Sequence, residues 1–427
     1  MACRSELLRS LHWNECPRVE DMTDPKFLPF VACYSQSSPA VDNGVIILRN
    51  IPYETTRSEC IAMLGRNSRL LSDVYEPVHI IMDRVTSKTL DAFCEVDSLH
   101  AALNLAAKFG GKEENGRQEN SRHARLGNRT VEVEVSSQAS LMQALFPNAA
   151  RGVQWHGAQP QPTLNAKDPW DNFKGFVTEE EMSMLAKHVE VPQRSTFSRA
   201  CPERPYECMI STLRKMPWYK AQYITIKQRQ SVYEACMKMI AVLDNKLNPR
   251  EGFPVTERLT RQLFNRLVNS AMLCPGFSVV QKHNIAVLAR LSEDKVRGFN
   301  QPRFPDSWRH QWTLIPKPGM PIDLLEWYIA VIRTETNRVV QNLDISQKMP
   351  LQQLMERVDG YWGYFWAEAN FPVGPDFDNM SLEECNAIEW RAIGAILTRA
   401  VKGGAIPPSY TIGSNHLDSS APRQIGY

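Results

Sequence analysis

The sequence lacks the marks of most simple functional classes. Its ten cysteines, at 3, 16, 33, 60, 94, 201, 208, 236, 274 and 385, include no Cys-x-x-Cys pair. That scatter argues against a zinc site or a disulfide framework and suits reduced thiols inside a cell. No apolar run near the N-terminus resembles a secretory h-region, and no stretch reaches the ~18 uninterrupted apolar residues of a membrane span. The expectation is an intracellular protein off the membrane, in nucleus and/or cytoplasm, since no compact Lys/Arg cluster selects between the two. The sequons at Asn128 and Asn379 are then without consequence.

Catalytic signatures are missing too. There is no phosphate-binding G-x-x-x-x-G-K-[ST], no G-x-S-x-G and no H-E-x-x-H. The nine histidines stand apart, at 12, 79, 100, 123, 156, 188, 283, 310 and 416. We expect no enzyme, no metal, no cofactor and no small-molecule substrate.

What is present is a folded chain of 427 residues, 43% apolar and 22% charged, long enough for two or three domains. A mixed, turn-rich lead-in over 1–41, expected to be partly disordered, ends in SQSSPAVDNG. From Val45 the pattern runs VIILRNI (strand), SECIAMLGRNSRLL (helix), VHIIMD and TLDAFCEV (strands), SLHAALNLAAKF (helix) and RTVEVEV (strand). This β-α-β-β-α-β order is a ferredoxin-like split unit over 42–138. Its last helix and strand are joined by the polar, aperiodic GGKEENGRQENSRHARLGN, read as a long loop.

A short helix at SLMQALFP opens a Pro/Gln/Asn-rich linker assigned to 139–175. An all-helical domain is expected over 176–405, with capping boxes at TEEE (178–181), TIKQ (225–228) and SLEE (381–384). The tail 406–427 has little core potential and is expected to be loose. The overall class is α+β: a βαββαβ unit followed by a helical domain. In the helical domain YWGYFW (361–366) reads as core or as a protein-binding groove.

VIILRNIP (45–52) and TLDAFCEV (89–96, with Ala92 and Phe93 in place) resemble the two strand signatures of the RNA-recognition motif, and GNRTVEVEVSS fits its last strand. The resemblance is closest to the quasi-type motifs of the heterogeneous nuclear ribonucleoprotein H/F group and to motif-bearing proteins of filamentous fungi. It covers less than a quarter of the chain. It implies an RNA-binding sheet with bases stacked at the positions of Ile47, Asp91 and Phe93. Quasi-type motifs bind through loops, which implies contacts from Arg49, Tyr53, Arg84, Lys88 and Arg129.

Strand alternation sends Ile46, Leu48, Leu90, Ala92, Cys94, Val96, Val131, Val133 and Val135 inward. It sends Ile47, Arg49, His79, Ile81, Asp83, Asp91, Phe93, Glu95, Glu132 and Glu134 outward. Only Phe93 of that outer face is aromatic, and the acids repel phosphate. Phe93 is either a single stacking platform or an aromatic packed against the segment after Gln138.

Positive charge gathers elsewhere. Residues 201–300 hold sixteen Lys and Arg against eight acids. Within LRKMPWYKAQYITIKQRQ, Arg214, Lys215, Lys220, Lys227 and Arg229 lie near Trp218, the raw material for phosphate contacts and stacking. A solvated helix face with a core Trp explains the same pattern. The expected function is single-stranded RNA binding in a post-transcriptional or ribonucleoprotein setting, with protein partners besides. The alternative is a protein-interaction adaptor whose acidic sheet docks a helix or an Arg-rich peptide.

Overall fold

The computed structural model describes residues 4–12, 17–38, 43–109, 124–162, 173–248, 257–355, 360–404 and 406–407. The polar loop read over 110–128 lies outside the described residues as far as 123, and its end forms a short hairpin of Arg125–Leu126 with Arg129–Thr130. The tail from 408 also lies outside the described residues. The protein is a mixed α+β molecule with small antiparallel sheets. Its described residues fall into two compact units, 34–277 with 284–292, and 1–33 with 278–283 and 293–427.

The first unit is built on one four-stranded sheet. Strands β1 (Gly44–Arg49), β2 (Val78–Met82), β3 (Thr89–Val96) and β4 (Glu132–Ser136) pair in the order β2-β3-β1-β4. Helix α1 (Arg57–Leu64) links β1 to β2, and α2 (Leu99–Phe109) lies between β3 and β4 in sequence. α1 begins at Thr56, whose hydroxyl accepts from Glu59 N while the Glu59 carboxylate accepts from Thr56 N. One sheet face and these two helices enclose a core containing Ile46, Leu48, Ala92, Cys94, Leu64 and Leu105.

Period-two alternation therefore holds for most of the inner face. It breaks in β3, where Ile80 faces Ala92 but Met82 faces Thr89. β3 carries one more residue than β2 across that stretch, a bulge that resets the alternation. Leu90, expected inward, is consequently 46% exposed. Val135, near the end of edge strand β4, is also exposed.

The segment assigned as linker carries structure: helix α3 (Gln138–Leu145), then a hairpin of Val153–His156 and Gln159–Pro162. Beyond it come α4 (Glu179–Glu190), α5 (Arg204–Lys215), α6 (Ile226–Leu247) and α7 (Arg261–Met272). α4 and α6 open with the expected capping boxes, Thr178 with Glu181 and Thr225 with Gln228. The βαββαβ segment and these helices form one compact unit, where a linker between two domains was expected.

In the second unit the described part of the N-terminal segment forms helices Glu6–Leu11 and Val19–Thr23. Its strand Phe30–Ala32 pairs antiparallel with Leu314–Pro316. The long helices Ile322–Gln341 and Leu382–Lys402 pack together, the latter capped by Ser381 and Glu384. Tyr361, Trp362, Tyr364 and Phe365 of YWGYFW are buried in this unit.

Candidate functional site

The outer face of the sheet is the surface the sequence singles out. Pairing sets His79, Phe93, Ile47 and Glu134 in one row across it. Most of that face is closed by the protein itself. α5 lies on β2, and α3 lies against β1 and α5. Phe93 is 4% exposed, His79 0% and Glu95 1%.

Burial of a carboxylate at Glu95 requires compensation. Lys215 Nζ of α5 stands 2.5 Å from Glu95 Oε1, and Gln138 Nε2 of α3 donates to the same oxygen at 2.7 Å. His79 Nε2 donates to Oε2 at 3.1 Å, while His79 Nδ1 accepts from the Ser211 hydroxyl at 2.9 Å. Two roles for two ring nitrogens fit a neutral imidazole. Burial lowers the His79 pKa against the pull of Glu95. Burial works to raise Glu95, but the His79 hydrogen bond and the Lys215 charge overcome it and hold the carboxyl at about 2.

Arg84, expected as an exposed loop contact, is 5% exposed. It donates to Glu181 Oε1 at 3.0 Å, to Leu145 O at 2.8 Å and to Thr212 Oγ1 at 3.1 Å. Its carbonyl accepts from His188 Nε2 at 3.0 Å. Arg84 thus ties the end of β2 to α3, α4 and α5.

One part of the outer face remains open, a cleft of about 560 Å³ between the ends of the strands and α3. Its apolar residues include Ile47, Ile81, Leu90 and Phe93, with Val85 and Pro147 further out. Its charged residues are Arg49, Arg84, Asp83, Asp91 and Glu181, three carboxylates against two guanidiniums. Both guanidiniums are engaged. Arg49 reaches Glu134 at 2.8 Å and Asp91 at 3.5 Å, and Arg84 reaches Glu181.

Four of the expected RNA contacts, Ile47, Arg49, Asp91 and Phe93, meet in this cleft together with the buried Arg84. Tyr53, Lys88 and Arg129 do not line it, although each is exposed. Tyr53 instead meets Phe197 edge to face at 5.8 Å.

The basic-aromatic segment does not form a cationic surface. Trp218 and Arg229 are each 1% exposed, and Lys215 is spent on Glu95. Arg214 donates to Ser270 Oγ at 3.2 Å and is half-buried, as is Lys220. Lys227 is exposed but pairs with Glu179 at 2.8 Å. Part of the local charge excess is met by acids far away in sequence, as where Arg266 makes a two-pronged bond to Glu76.

Sequence reasoning missed Leu90 and Pro147 as cleft residues and α5 as the cover. The bulge that turns Leu90 outward leaves no local mark. Asp83 did carry a signal, since its Oδ1 accepts from Val85 N and Thr86 N in a side-chain-closed turn.

Residues 42–157 match a family described as Domain of unknown function (DUF8400), and residues 173–291 match another, Domain of unknown function (DUF8399). The sheet is thus similar to one family and the helix covering it to the other. No curated protein and no solved structure matches the chain.

Proposed function

We propose that the sheet unit is a ferredoxin-like, RNA-recognition-motif-type scaffold turned into a protein-interaction module, with no enzymatic role. The βαββαβ order and the antiparallel arrangement β2-β3-β1-β4 support the scaffold reading. So do the strand sequences VIILRNIP and TLDAFCEV. The observation that carries the function is the occupation of the outer face by α5. Its single aromatic, Phe93, is 4% exposed. An RNA platform of this type needs open ring faces, each worth roughly 1–3 kcal/mol per stacked base.

A short RNA contact is the competing reading, favoured by the meeting of Ile47, Arg49, Asp91 and Phe93 in one cleft. Charge speaks against it, because Arg49 is already shared by Glu134 and Asp91. The test is titration of a fluorescent randomised single-stranded RNA with the full chain at low and moderate salt. Weak binding with a shallow salt slope is expected. Tight binding that falls by about 10³ or more between roughly 50 and 200 mM salt, the behaviour of six or more phosphate contacts, would reverse the assignment to RNA.

A further inference from the structure

We propose, resting on that reading, that the cleft receives a peptide segment of a partner protein presenting an apolar side chain beside a Lys or Arg. Leu90 and Val85, 46% and 61% exposed, form apolar wall left uncovered by the rest of the unit. The volume, about 560 Å³, falls in the range that takes a small ligand or a few side chains.

Charge then selects the ligand's sign. The Arg84 charge is met by Glu181, and the Arg49 charge by Glu134 with Asp91. Asp83 uses Oδ1 for the turn amides, and its Oδ2 has no hydrogen-bond partner among the described residues. Asp91 has one long contact, 3.5 Å to Arg49, and its side chain is 35% exposed. The unsatisfied capacity of the cleft is therefore carboxylate, placed beside exposed aliphatic surface. A cation with an apolar neighbour completes both, while a phosphate or an acidic peptide meets repulsion.

The experiment selects peptides from a random phage-displayed library on the full chain, then measures fluorescent synthetic copies against variants. Basic-apolar sequences are expected. Their binding should weaken about tenfold in Asp83→Asn/Asp91→Asn, which removes two partly exposed charges while keeping shape and the turn acceptor. It should also weaken in Leu90→Ser and with added salt. Circular dichroism checks that each variant is folded. Selection of acidic or uncharged peptides that still depend on Leu90 would overturn the cationic ligand but leave the protein-interaction reading standing. If no selected peptide is weakened by Leu90→Ser, the cleft is not the site and the proposal fails. Salt-steep RNA binding in the parallel titration would remove the proposed function as well.

Discussion

Replacing Lys215 by Met should destabilise the 34–277 unit by about 3–5 kcal/mol at neutral pH, the usual cost of leaving one member of a buried ion pair unpaired. The Lys215 and Glu95 side chains are 11% and 1% exposed, with N and O 2.5 Å apart. At an effective dielectric of 20 their attraction is roughly 6–7 kcal/mol before desolvation is subtracted. The titration behaviour gives a similar scale. The Glu95 carboxyl lies at about 2 in the folded protein against an ordinary 4.5. That displacement, to which His79 and Lys215 both contribute, corresponds to about 3 kcal/mol of stability.

Because the folded pKa is depressed, this stability is present above pH 4.5 and is lost as pH falls toward 2. In Lys215→Met the charge that helps keep His79 neutral is gone. His79 can then take a proton and pair with Glu95, so the penalty should shrink as pH falls from 8 toward 5.5. Glu95→Gln added to Lys215→Met should recover much of the loss, since the unpaired charge is removed.

The assay is urea unfolding by far-UV circular dichroism across that pH range. Hydrogen exchange of 89–96 and 204–215 reports on the strand and helix directly. A penalty below about 1 kcal/mol, or one independent of pH, would refute the claim that this pair clamps α5 to the sheet.

Phe93→Ala should cost about 3–5 kcal/mol, because a buried ring leaves a cavity. A thermal melt checks this, and an unchanged melting temperature would restore Phe93 as an open platform. Gly276→Ala should cost about 1–3 kcal/mol, since a Cβ there would meet the buried Trp218 ring at 2.1 Å. Unfolding followed by tryptophan fluorescence measures the loss, and a neutral result would show that Trp218 is free to move.

The residues that sequence could place are those whose environment is set by near neighbours. Alternation put Ile46, Leu48, Ala92 and Cys94 in the core because side-chain direction repeats every two residues along one strand. Capping boxes at Thr178, Thr225 and Ser381 were visible because both partners lie within three residues. The fate of charge was not visible in this way. Glu95 reads as a solvated acid on an outward strand position, and Lys215 as one of a run of cations suited to phosphate. Only folding brings them together, 120 residues apart in sequence, in a pair that hides both.

The same holds for Arg84 with Glu181 and for Arg266 with Glu76. Five cations of 201–300 pair with acids earlier in the chain: Lys215 with Glu95, Lys227 with Glu179, Lys238 with Glu190, Arg258 with Glu54 and Arg266 with Glu76. A regional charge imbalance points to an outside partner only after the opposite imbalance within the chain has been matched against it. In this protein that match takes up part of the basic segment, while the cleft keeps carboxylate and exposed aliphatic surface beside Leu90. That surface, opposite in sign to the one expected of an RNA-binding sheet, is why the cleft is assigned to a cationic, apolar segment of a protein.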